Sequence, residues 1–141
     1  MGSLNVSMPP PMTEICRWVL EIPAQLRQLR AALYRATTGC PHPADASFED
    51  VPQQLVLVAT EFASNALRHG IPPTIVRLGR AGDQYVVDVT DHDPASAPAY
   101  AWDRPIGEGG LGLHLARKLA SDVGWYVKDG TKHVWARFQP A

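Results

Sequence analysis

The chain has 141 residues, 45% hydrophobic and 19% charged, the balance of one globular domain with a true core rather than of a disordered polypeptide. Its 13 basic and 14 acidic residues leave a net charge of −1, so no overall field draws in nucleic acid or an anionic membrane, and recognition falls to a local site. Cys16 and Cys40 are too few for a disulfide framework, which favours a reducing cytosol, and no apolar run reaches membrane-spanning length.

Residues 1–13 hold three consecutive prolines and are expected to form a loose arm ahead of a single domain over residues 14–141. The start lacks the basic-then-apolar order of a signal peptide, and Val6 stands where N-myristoylation needs Ser or Thr. Residues 16–22 alternate as a strand with Cys16, Trp18, Leu20 and Ile22 on one face. Leu26, Leu29, Leu33 and Ala36 then follow the helical period until Gly39 ends it, and residues 40–49 form a loop. Cys40 and His42 in that loop are a weak metal cue, since no second pair follows at zinc spacing.

The strongest pattern begins at Asp50. Asp50 and Gln53 have capping-box spacing, Pro52 is tolerated in a first turn, and Gly70 with Pro72 and Pro73 supplies a stop. Between these ends Leu55, Val58, Ala59, Phe62 and Ala66 mark a buried stripe. Glu61 and Asn65 lie nearly one above the other, roughly a quarter-turn from the centre of the stripe, at the border of the core. An acid and an amide so placed can divide two jobs: the carboxylate polarises a hydroxyl or water, and the amide oxygen coordinates a hard cation that also holds phosphates. The same stretch taken alone also fits an exposed Glu beside a solvated Asn.

After Gly70 the period changes to two. Residues 74–78 and 84–90 read as strands joined through Ala81, Gly82 and Asp83. Residues 91–108, with Pro94, Pro98 and Pro105, match no element, and a long loop in a small domain is functional or disordered. Leu111, Leu115 and Leu119 mark a helix opening at Gly109 to Gly112, and residues 125–128 and 133–138 form a second hairpin around Asp129 and Gly130. No repeat is visible. The order of elements predicts an α+β fold, a two-layer sandwich of one mixed, mostly antiparallel sheet with helices on one face.

A glycine-rich run that opens a helix lets bare backbone N–H groups and the positive helix end hold phosphates, though it also serves as a plain flexible entry. Asp91, at a strand end, can accept from an exocyclic amine or act as a turn residue. In order, EFASN from Glu61, DHDPA from Asp91 and GEGGLGL from Gly107 resemble the ATP-binding domain shared by histidine kinases, a heat-shock chaperone, DNA gyrase and the MutL repair protein, known as the GHKL or Bergerat fold. Glu61 and Asn65 match its N box, Asp91 its adenine-reading acid, and Gly110, Leu111, Gly112 and Leu113 its second glycine box. In its small size the chain is most similar to the anti-sigma factor serine kinases of bacteria.

The resemblance implies ATP and Mg2+ as cofactors. Asn65 would bind the Mg2+ that bridges the phosphates, Glu61 would act as general base toward the attacking hydroxyl, and Asp91 would bind the adenine amine with Asp93 beside it. Gly107, Gly109, Gly110, Leu111, Gly112 and Leu113 would close on the phosphates under a lid over residues 94–108, where Arg104 is a candidate phosphate contact. In that family the acceptor is a serine on an anti-anti-sigma protein of the STAS type, which competes with a sigma factor for the kinase, and the kinases form homodimers in the cytoplasm. The family's first glycine box, D-x-G-x-G, departs here to Asp91, His92, Asp93, Pro94 and Ala95, with Asp93 and Ala95 in the glycine positions. A second expectation therefore stands beside the kinase: a binding module that keeps the fold and regulates a partner without transferring phosphate. A sensor histidine kinase fragment is disfavoured, because the sequence shows no helical dimerisation segment with a phosphoacceptor His.

Overall fold

The computed structural model describes residues 6–40, 50–94 and 111–139, with side chains from residue 115 onward in the last of these segments. The elements run β1 (Thr13–Leu20), α1 (Leu26–Thr38), α2 (Val51–His69), β2 (Thr74–Ala81), β3 (Gln84–Asp91), α3 (Leu111–Leu119), β4 (Asp122–Lys128) and β5 (Thr131–Phe138). The strands form one sheet in the order β1-β2-β3-β5-β4, each neighbouring pair antiparallel. The helices pack on one face of it, the two-layer α+β arrangement that the periodicities predict.

Helix α2 is the axis of the helical layer, in contact with α1, α3, β2, β3 and β5. Its start is fixed by Asp50, whose side chain accepts from the Gln53 N–H at 2.9 Å, and its end by Gly70, which donates to the Ala66 carbonyl at 2.8 Å and then turns extended. The predicted stripe is buried throughout, and Val56, Thr60 and Ala63 are buried with it because neighbours cover the helix on several sides. Helix α1 ends where predicted, with Gly39 at φ 75° donating to the Arg35 carbonyl, a left-handed cap that favours glycine.

The first strand is shifted from its expected place. It begins at Thr13 and stops at Leu20, so Ile22 is not on its face but 55% exposed. The cause is Gln25, whose side-chain carbonyl accepts from the N–H groups of both Glu21 (2.7 Å) and Ile22 (3.1 Å) and turns the chain into the Pro23–Gln25 turn. Likewise β4 begins three residues before Trp125 and β5 two before His133, which brings Thr131 and Lys132 into the sheet.

Alternation gives the sheet a second, non-helical face, and its centre too is buried: Val86, Asp88 and Trp135 lie there at 1% exposure or less, whereas Val19 on β1 is 54% exposed. The segment ahead of β1 covers it. Val6 bridges Trp125 in parallel, the Ser7 N–H donates to the Trp125 carbonyl at 2.9 Å, and the Trp135 indole donates to the Ser7 carbonyl at 2.8 Å. Five residues on, the Met12 sulfur sits where a Cβ on Gly79 of β2 would fall at 2.6 Å. From Ser7 to Met12 the chain thus crosses from β4 to β2, three strand spacings or about 14 Å. Five residue steps at about 3.1 Å each, the rise of polyproline geometry that Pro9, Pro10 and Pro11 favour, are enough to span that gap with little slack. Composition marks this arm as loose; residues 6–12 act as a strap, because Trp135 and two glycines give it specific seats.

Beside the strap a polar belt runs across the sheet. The Asp88 carboxylate accepts from the Thr90 hydroxyl at 3.1 Å and the Tyr126 hydroxyl at 3.1 Å, faces His133 Nδ1 at 2.9 Å, and lies 3.4 Å from Arg77. His133 stacks on the Tyr126 ring at 4.4 Å and reaches the Thr131 hydroxyl at 2.9 Å. Arg77 continues to Glu14 at 3.7 Å, and Glu14 to Arg17 at 2.9 Å. Burial alone pushes the Asp88 carboxyl up, but His133, Arg77 and Tyr126 outweigh it and hold the group below the usual carboxylate range.

Asp88→Ala strands this cluster without its acceptor and is expected to lower stability by about 3–5 kcal/mol in urea titrations at pH 7. Because the folded group titrates below its unfolded value near 3.9, its contribution is complete above that pH and is lost as pH falls through the folded value. Asp88→Asn is expected to flatten that acid limb, which urea midpoints measured between pH 2.5 and 5 would read.

Candidate functional site

Helix α2 packs on β3, and Glu61, Asn65 and Asp91 sit on these two neighbouring elements. Glu61 and Asn65 project one turn apart from α2, both half-buried, outside its fully buried stripe. The Asn65 Nδ2 is buried and has no hydrogen-bond partner among the described residues. An unpaired buried amide costs stability unless something binds it, and a rotation of the amide presents oxygen in place of nitrogen. Either end suits a nucleotide site: the nitrogen a phosphate oxygen, the oxygen a hard cation. Among the described residues no three His, Cys, Asp or Glu side chains gather as a metal cluster, so a cation held at Asn65 would complete its shell with phosphate oxygens and water.

Asp91 closes β3 and is 3% exposed. Its Oδ1 accepts the Asp93 backbone N–H at 2.8 Å, the turn geometry of an Asx residue, and its Oδ2 lies 3.4 Å from Lys132 Nζ. Burial pushes the Asp91 carboxyl above its usual value despite the lowering pull of the Asp93 N–H and Lys132, and the Asp93 charge adds to the rise. A carboxyl held high in a buried corner beside a specific charge partner is a candidate binding group.

Helix α2 and Asp91 meet through Gly70. A Cβ there would come within 2.5 Å of Asp91 Cγ and Oδ2 and 2.7 Å of the Ala66 carbonyl, so only a glycine lets the end of α2 close on the carboxylate. The segment after β3 is tied to the same corner: the His92 N–H donates to the Ile71 carbonyl at 2.9 Å, and His92 Nδ1 lies 3.0 Å from the Pro73 carbonyl. His69, half-buried, occupies the last position of α2.

Asp93 is half-buried and contributes its backbone N–H to Asp91. The backbone of Leu111, Gly112 and Leu113 forms the first turn of α3, with side chains outside the described residues. Arg104, Gly107, Gly109 and Gly110, the lid from residue 95 on, Trp102 and the His42 of the metal cue also lie outside the described residues. The described residues place Glu61 and Asn65 on α2 and Asp91 and Asp93 at the end of β3, two elements in contact, and add two residues that motif spacing passes over. Gly70 reads from sequence only as a helix stop. Lys132 carried a usable signal, since Lys132, Val134, Ala136 and Phe138 alternate onto one face of β5 and an ammonium on an apolar face needs a partner.

A family model described as a histidine kinase-like ATPase domain matches residues 22–138. Among solved structures, the chain is similar to the histidine kinase AdeS of Acinetobacter baumannii, with 11% sequence identity and a TM-score of 0.52 over 89% of this chain and 68% of that one. At that identity the likeness is one of fold. No curated protein matches the sequence. No helix of the described residues is long and apolar enough to cross a membrane.

Gly70→Ala is expected to displace the Asp91 carboxylate or the end of α2. Calorimetry with ATP and Mg2+ is expected to show roughly tenfold weaker binding, about 1.4 kcal/mol, and urea unfolding a loss of about 1–3 kcal/mol from overpacking. Unchanged affinity would detach Gly70 from the site.

Proposed function

This chain belongs to the family of histidine kinase-like ATPase domains, and from that premise we propose that it is an ATP- and Mg2+-dependent protein serine kinase of the anti-sigma type, acting in the cytoplasm. On this reading it phosphorylates a serine of a STAS-type anti-anti-sigma protein and, when that partner is absent or phosphorylated, sequesters a sigma factor. The observation that supports it most is half-buried Glu61 one turn from Asn65, whose buried amide has no partner among the described residues, on the helix whose end closes on the Asp91 carboxylate at Gly70. That arrangement offers an acceptor for a base, an amide for a cation or phosphate, and a free carboxylate toward an incoming hydroxyl.

Phosphoryl transfer needs mainly positioning and charge neutralisation, which suits so small a set. Mg2+, when bound, would neutralise the phosphates. Asn65 would help hold it, Asp91 would accept from the adenine amine, and Glu61 would take the proton of the serine hydroxyl. Glycines 107, 109, 110 and 112 and Arg104 would attend the phosphates.

Purified protein incubated with labelled ATP and a STAS-type acceptor is expected to label a serine. Glu61→Ala is expected to slow that transfer by about 10²–10⁴-fold with nucleotide affinity kept, and Asn65→Ala to weaken Mg2+-dependent binding itself. Transfer by Glu61→Ala at the normal rate would remove the base assignment. The edge strand β1, with Ile15 and Val19 exposed, supports the homodimer that the anti-sigma reading carries, and sedimentation that shows only monomer over a wide concentration range would remove it.

A second reading has its own observation. Asp93, in a glycine position of the first glycine box, is fastened to Asp91 and adds negative charge beside it. If that acid keeps nucleotide out, the domain regulates a partner by binding alone, and calorimetry without detectable heat at millimolar ATP would favour this reading.

A further inference from the structure

We infer that Lys132 is a positioning residue of the nucleotide pocket, whose buried ammonium clamps the Asp91 carboxylate in the ionised, acceptor-only form that reads an amine on the base. The inference rests on the nucleotide reading of the site given above.

The register of β3 against β5 sets Lys132 directly opposite Asp91, and alternation turns both toward the helices. Both side chains are 4% exposed, with Nζ 3.4 Å from Oδ2. An ammonium so deeply buried on an otherwise apolar strand face is costly and is kept where it holds a charge in place. The carboxylate is thereby fixed on three sides. Lys132 holds Oδ2, the Asp93 N–H holds Oδ1, and the Gly70 backbone forms a wall too close for any Cβ.

Protonation state decides whether this corner works. An ionised carboxylate only accepts, and so pairs with an amine; a protonated one turns an O–H donor toward a donor. Burial and the Asp93 charge both favour the protonated form, while Lys132 and the Asp93 N–H oppose it. The charged or titratable groups that the surrounding described elements carry near this corner are Asp93 and His92 after β3, Lys132 on β5, and Glu61, Arg68 and His69 on α2. Of these, Lys132 is the cation recorded as an ion-pair partner of Asp91.

The test is a titration of the Asp91 carboxyl by 13C NMR, together with calorimetry of ATP and Mg2+ from pH 5.5 to 8.5, on the full chain and on Lys132→Met and Lys132→Arg. In Lys132→Met the Asp91 midpoint is expected to rise by about one to three pH units. ATP affinity is expected to stay near wild type at pH 8.5 and to fall about tenfold per pH unit below the raised midpoint. Lys132→Arg is expected to restore both. An Asp91 midpoint unmoved in Lys132→Met, or an affinity reduced by one constant factor at every pH, would overturn the inference in favour of a packing role. If thermal melts show Lys132→Met unfolded, Lys132→Gln carries the same two readouts. Wild-type protein that binds no ATP at any pH would instead overturn the nucleotide reading, and the role of the pair with it, whatever the carboxyl titration shows.

Discussion

Strand β3 buries a carboxylate on each of its faces, and the two layers of the molecule are arranged about that constraint. Asp88 points to the strap side and is saturated: two hydroxyls, an imidazole and a guanidinium from four strands converge on it. Asp91 points to the helix side and is held by one backbone N–H and one ammonium at a longer distance. The same chemical group therefore titrates low on one face and high on the other. A saturated buried acid serves the fold, whereas one left short of donors keeps capacity for a ligand.

That difference divides stability from binding. The ionised form of Asp91 is disfavoured in the folded state, so at neutral pH it subtracts from stability, whereas the ionised form of Asp88 adds to it. The belt from Arg17 to Tyr126 reinforces the face of the sheet turned away from the helices. On the helix side Gly70 closes on Asp91, and Asn65 on the same helix buries an amide with no partner among the described residues.

The sequence made the helical layer legible because the stripe from Leu55 to Ala66 has one period, one capping residue and one stop, each with a local cause. Both hairpins were legible through their turn residues, Gly82 at φ 66° in one and Asp129 and Gly130 at φ 52° and 80° in the other. Strand ends were less so, since they depend on partners distant in the chain: β1 stops early because of Gln25, and β5 starts early because β4 runs alongside it down to Thr131. Of the site, spacing exposed Glu61, Asn65 and Asp91, whose types and intervals are distinctive. It passed over Lys132, whose place on the apolar face of β5 calls for a partner but whose partner, an acid 41 positions earlier in the chain, is set only by cross-strand register. The strap was missed for the opposite reason: three prolines suggest disorder, and only the seats on Gly79, Gly124 and Trp135 make them a brace.

The strap also sets how many neighbours the sheet can accept. A five-stranded sheet has two open edges, and a chain with both available can add strands without limit, which is the route to fibres. Val6 and Ser7 meet the β4 edge at Trp125, while β1 is the outermost strand at the other side among the described residues. In the homodimer proposed above, a second copy paired along β1 would leave the two β4 strands outermost, each already met at Trp125 by its own strap.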